Sequence, residues 1–182
     1  MKKSMMFGVV LSIIFISFSS CGNVNNFHFD EKTFMANWNA WNNQNIQNYS
    51  FTLTESYSNW NNARGTPDWN TYKFNIVVKN GLMDSFEYSV FDHEDRPVDG
   101  IYNPPFTSIS DMYKEIYNWA QFEKEMWKKN KYKGYSLSKE FVVEYNSEYH
   151  YITFFGVNNE WHPNFYGSPG SSFKVLDFKV LD

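Results

Sequence analysis

A single cysteine, Cys21, stands in the 182 residues, so no disulfide can form within the chain and no cysteine cluster can hold a structural zinc. The four histidines, His28, His93, His150 and His162, show neither an HExxH pair nor any other paired spacing. No GxSxG elbow and no P-loop occurs, and a Ser-His-Asp triad drawn from distant segments is a matter of geometry that a sequence does not display. Basic residues are also few, 16 against 20 acidic, and the net charge of −4 argues against nucleic acid, whose phosphates require clustered Lys and Arg. It equally disfavours attraction to anionic lipid. The longest apolar run, Met5 to Phe18, falls short of the roughly 20 residues a bilayer-spanning helix needs.

That run follows Lys2 and Lys3 and leads into Phe18-Ser19-Ser20-Cys21. Basic residues, a short apolar stretch and a small-residue cleavage site make an export signal. The last four residues resemble the lipobox of bacterial lipoproteins, with Phe18 where Leu is usual. The resemblance implies lipidation of Cys21, loss of residues 1–20 and attachment to a membrane through the lipid. Each buried methylene contributes about 0.8 kcal/mol, so two or three acyl chains hold a protein firmly where one binds reversibly. Gly22, where Asp would resemble an inner-membrane retention signal, favours the outer membrane. Cleavage leaves roughly 160 residues, enough for one domain, and removing Lys2 and Lys3 makes the chain two charges more negative.

Aromatics are abundant: 7 Trp, 13 Tyr and 18 Phe. Such rings bury roughly 150–250 Å² each, which suits the core of a β-rich domain with no disulfide to brace it. Residues 21–29 read as a lipidated tether and residues 30–182 as a single domain. Asp30 can cap a helix carrying Phe34, Trp38 and Trp41 on one face, ended by Asn42, Asn43 and Asn45. Alternation then predicts a strand with Tyr49, Phe51, Leu53 and Tyr57 inward, a second with Tyr72, Phe74, Ile76 and Val78, and a third with Phe86, Tyr88 and Val90. A two-residue Asn80-Gly81 turn followed by regular pairing would set apolar against polar positions. A three-residue loop, Lys79-Asn80-Gly81, with a bulge at Gly81 is therefore expected, placing Val78 opposite Leu82 and Phe74 opposite Phe86.

Ser108 and Asp111 open a second helix whose buried stripe is Ile109, Met112, Tyr113, Ile116, Trp119 and Ala120. Three strands follow, Phe141 to Tyr145, Tyr149 to Phe155 and Phe173 to Val180, with His150 on the second of them. The expected fold is α+β: an antiparallel sheet of about six strands in two three-stranded units, each preceded by a helix, with the helices packed on one face.

The stretches Trp41 with Asn45 to Phe51, Val77 to Gly81, Ile109 to Tyr113 and Val143 to Tyr151 resemble a family of small uncharacterised bacterial lipoprotein domains. The likeness spans nearly the whole mature chain. Many members have cysteines just after the first strand, where this chain has Glu55-Ser56-Tyr57. The resemblance implies an exported, anchored domain and supplies no catalytic residues.

Asp92-His93-Glu94-Asp95-Arg96 with Asp99-Gly100 is the densest polar cluster, yet its spacing is not that of an EF-hand, and a solvated loop is the expected reading. Two aromatic stretches are the candidate ligand-binding residues: Trp60 and Trp69 in one, Trp161, His162 and Tyr166 in the other. Rings beside amide and carboxylate groups suit a protein, peptide or glycan ligand. The function expected is a lipid-anchored envelope domain of the non-enzymatic binding kind, without cofactor or metal. The alternative is a small envelope hydrolase with a site between the acidic loop and His150 or His162.

Overall fold

The computed structural model describes residues 27–61, 66–92, 94, 96–129, 131, 136–161 and 172–182, and side chains within these except at 57–61, 66–69, 136–137 and 161. Two helices, α1 (Glu31–Gln44) and α2 (Ile109–Lys128), accompany seven strands: β1 (Phe27–His28), β2 (Tyr49–Asn61), β3 (Thr66–Lys79), β4 (Leu82–Phe91), β5 (Ser136–Tyr145), β6 (Ile152–Trp161) and β7 (Ser172–Val180). They form one sheet in the order β1-β5-β6-β7-β2-β3-β4. Among the described residues, no helix is long and apolar enough to cross a membrane.

Both helices start where their caps dictate. The Asp30 carboxylate accepts from the Thr33 N–H at 3.0 Å, and the Ser108 hydroxyl accepts from the Asp111 N–H at 3.0 Å. Asp111 reaches back past the cap to accept from the Thr107 N–H at 2.9 Å and from its hydroxyl at 3.0 Å, a variant of the capping box. A further free donor of α2, the Ile109 N–H, is met by the hydroxyl of Tyr49 from the sheet. Asn45, at φ 52, ends α1 in the left-handed conformation that amide side chains tolerate.

Alternation along the strands builds a one-sided core. Tyr49, Phe51, Leu53, Phe74, Ile76, Val78, Phe155, Phe173 and Val175 are buried with Phe34 and Trp41 of α1 and the predicted α2 stripe in a single cluster. Trp119 of that stripe is half-buried, its ring edge-on to Phe141. The helices are tied by rings and by charge. Trp38 stacks on Tyr113 at 5.9 Å with planes 4° apart, while Glu31 accepts from Tyr117, Gln121 and Lys124. Aromatic pairs of this kind contribute about 0.5–1.5 kcal/mol beyond the area they bury. A buried ion pair, Lys139 to Glu123 at 2.9 Å, fastens α2 to β5.

The expected sheet of six antiparallel strands in two units is overturned: there is one continuous seven-stranded mixed sheet. Phe27–His28 adds an edge strand parallel to β5, with Phe27 opposite Lys139, and β7 pairs with β2 to join all strands. Two residues are too few to show alternation, so β1 leaves no periodic signal. Residues 27–29 of the expected tether thus belong to the fold, with Phe29 packed on Phe34.

Register corrects the first hairpin as well. Asn80 (φ 52) and Gly81 (φ 75) form a two-residue turn closed by Lys79 opposite Leu82, and the extra residue sits beyond it, at Asp84. Apolar positions still meet, but as Ile76–Phe86, Phe74–Tyr88 and Tyr72–Val90. β6 starts at Ile152, not Tyr149, so His150 lies in the turn before it and not on a strand. Asn146 accepts there from the Glu148 and Tyr149 N–H groups, which satisfies the turn locally. At φ 57 His150 bears a cost of about 1–2 kcal/mol, offset by its N–H to the Asn146 carbonyl and by the Tyr113 hydroxyl donating to its own carbonyl.

Candidate functional site

Beyond the helices, the inner face of the sheet continues into a row of residues from neighbouring strands: Phe173, Glu55, Tyr72 and Val90. Glu55 holds the inward phase set by Phe51 and Leu53, so the pleat delivers a carboxylate among rings. The segment after β4 brings Tyr102 and Asn103 over this row, and the five residues Glu55, Tyr72, Phe74, Tyr102 and Asn103 line a cavity of about 280 Å³.

The rings are arranged closely. Tyr72 and Phe74 are parallel within 6° at 6.5 Å, and Tyr102 meets Tyr72 edge-on at 5.1 Å. Tyr102 also meets Tyr88 edge-on at 5.9 Å, and the Tyr88 hydroxyl donates to the Gly100 carbonyl. Gly100 has to be a glycine for this placement. A Cβ there would stand 2.6 Å from Tyr102 Cζ and 2.7 Å from its hydroxyl oxygen.

Glu55 has no hydrogen-bond or ion-pair partner among the described residues. Burial raises its carboxyl above the ordinary glutamate value, and no neighbouring charge contributes. A partly buried carboxylate in a cleft floored by rings is a candidate for holding a ligand. Sequence reasoning passed over Glu55, although a glutamate at an inward phase of an alternating strand is itself a signal. Tyr72 and Phe74 carried the alternation signal, whereas Tyr102 and Asn103 sit in an irregular segment where periodicity says nothing.

Other expected site residues are placed as follows. Trp60 and Trp69 lie in the backbone of β2 and β3, opposite Pro67 and Ser58. The first two strands thus run further than expected, and only the connection at 62–65 falls outside the described residues. Trp161 ends β6 opposite Ser136, while His162, Tyr166 and Cys21 lie outside the described residues.

The acidic loop closes on itself. Asp92 accepts from the Glu94 and Arg96 N–H groups and from the Arg96 side chain at 2.8 Å, and that guanidinium also pairs with Glu94 at 2.9 Å. Held first by the Arg96 side chain, the Asp92 carboxyl drops to about 2. His150 is far from it. Three strands separate β6 from β4, a distance of roughly 20 Å at four strand spacings, so no proton passes directly between His150 and Asp92. The His150 ring instead stands against the Asn37 side chain of α1 at 3.1 Å.

A second polar hollow of about 280 Å³ lies on the opposite side of the sheet, where Thr52 donates to Asn75 at 3.0 Å beside Asp177 and Lys179. Thr52 there bonds both Asn75 and Asp177, unlike Glu55. No group of three or more His, Cys, Asp or Glu side chains among the described residues is arranged to hold a metal ion. Comparison with protein-family models, curated proteins and solved structures finds no match to this chain.

Proposed function

We propose that this chain is an exported lipoprotein, anchored through Cys21 at the cell envelope, with the outer membrane favoured, whose folded domain is a non-enzymatic binding module. The observation that carries the binding reading is the Glu55 cavity: a carboxylate without a partner among the described residues, set with three rings on the inner face of the sheet. Binding sites use such preformed hollows with a few polar groups to orient the ligand. Hydrolysis is less well supported. General acid–base work calls for paired groups within hydrogen-bond reach, and Glu55 is the one carboxylate of the lining, with no histidine beside it. The anchoring reading rests on the sequence from Lys2 to Cys21 and on the lipobox resemblance.

The test is capture in place. A photo-crosslinking residue at Asn103, on the cavity rim, is placed in the full chain in envelope preparations, with the same residue at exposed Asn158 of β6 as control. The reading expects an adduct from position 103 that position 158 does not give and that Cys21→Ser reduces by releasing the chain from the membrane. Equal labelling from both positions, or turnover of a substrate by the purified chain, would contradict it.

A further inference from the structure

The chemistry of the cavity lining also names what fills it, an inference that rests on reading the cavity as the binding seat. We propose that the seat takes an alkylammonium group, the end of a lysine side chain or of a free amine.

Three properties of the lining converge on a cation. Glu55 is half-buried between Tyr72 of β3 and Phe173 of β7, with no basic group of the described protein paired to it. A carboxylate in such a place loses hydration without recovering it, and an incoming positive charge restores the balance. The rings point the same way, because an aromatic face is electronegative and attracts an ammonium within about 6 Å. Tyr72, Phe74 and Tyr102 line the same cavity as Glu55 and so offer aromatic surface to a cation held there. Asn103 adds an amide oxygen that can accept an ammonium proton.

Other ligand chemistries fit less well. An anion would meet the Glu55 charge. A sugar ring needs several polar side chains to pair its hydroxyls, and this lining supplies Glu55 and Asn103 beside ring hydroxyls. The volume, about 280 Å³, lies just below the roughly 300–1,000 Å³ range of ligand pockets and suits one side-chain-sized group. The net charge of −4 raises the local concentration of cations over anions.

Calorimetric titration of the full chain in detergent micelles provides the test, using n-butylammonium, its neutral counterpart n-butanol, and Nα-acetyl-lysinamide. The expected result is binding of n-butylammonium at least about tenfold tighter than n-butanol, and about a tenfold loss in Glu55→Gln at unchanged circular dichroism. Tyr102→Leu should weaken the ammonium more than the alcohol. Whichever of n-butylammonium and acetyl-lysinamide binds tighter identifies the source, free amine or polypeptide side chain. Equal binding of the alcohol, or undiminished binding by folded Glu55→Gln, overturns the ammonium assignment while an Asn103 adduct would still uphold the seat. Absence of both binding and adduct overturns the seat as well. Should Glu55→Gln not fold, the ratio of ammonium to alcohol on the unaltered chain decides.

Discussion

Replacing Gly100 by alanine perturbs the site from outside its lining, by displacing one lining ring. The new methyl would stand 2.6 Å from Tyr102 Cζ, closer than real Cβ contacts come, so the ring must leave its position. Leaving forfeits two edge-on contacts, to Tyr72 at 5.1 Å and to Tyr88 at 5.9 Å. At about 0.5–1.5 kcal/mol each, these amount to about 1–3 kcal/mol. Alanine recovers part by restricting the unfolded chain, about 0.4–1 kcal/mol, which leaves a net loss centred on about 1.3 kcal/mol. For a domain of this size the melting temperature should fall by roughly 2–8 °C. Denaturant unfolding gives the free energy, and near-ultraviolet circular dichroism reports the displaced tyrosine. The Gly100→Ala/Tyr102→Ala double variant should lose no more than Tyr102→Ala alone, since the methyl then has nothing to strike. A Gly100→Ala protein as stable as the parent, or strict additivity with Tyr102→Ala, would refute the reasoning.

The remaining predictions concern the ties of the fold and the proposed anchor. Lys139→Met takes the paired ammonium from the Glu123 carboxylate, buried to 8 % side-chain exposure, leaves it the Trp119 Nε1 donor, and should cost up to about 3–5 kcal/mol, whereas Glu123→Leu with Lys139→Met should recover most of that loss in urea unfolding. Glu31 is held below the ordinary value of 4.5 first by its bond to Lys124, then by Tyr117. A carboxyl depressed in the folded state contributes stability above its unfolded pKa and loses it as pH falls through the folded one. Urea midpoints of the parent should therefore drop more steeply below pH 4.5 than those of Glu31→Gln. Mass spectrometry of the protein from its native host should find residues 1–20 removed and acyl chains on Cys21. An intact N-terminus or a free thiol would remove the anchor from the account.

What the sequence disclosed follows from how locally each feature is encoded. Asp30 and Ser108 announce helix starts because a cap bonds within three residues, and both are found bonded as such. Tyr49 to Leu53 and Tyr72 to Val78 announce inner faces because one side of the sheet meets the helices and the other water. The pairing of β1 with β5, the join of β7 to β2 and the bulges at Asp84 and Asp177 depend on partners distant in the chain, which a local pattern does not record. Asp177, at φ 51, re-phases β7 so that Val175 and Phe178 both serve the inner face. His150 misled for a related reason. Tyr149 and Tyr151 flank it as strand residues would, yet the side chain of Asn146 and the hydroxyl of Tyr113 hold a turn there. The candidate site was legible only in part: Tyr72 and Phe74 were read as inner-face residues by alternation, Glu55 was missed although it holds an inward phase, and Tyr102 emerges only through the path of the segment that carries it.

Nitrogen-15 chemical-shift mapping of the full chain in detergent micelles, titrated with n-butylammonium, addresses the binding seat most directly. The account predicts saturable shifts centred on Glu55, Tyr72, Phe74, Tyr102 and Asn103, with the Thr52–Asn75–Asp177 hollow on the other side of the sheet unmoved. Shifts centred on that hollow, or none that saturate, would contradict it.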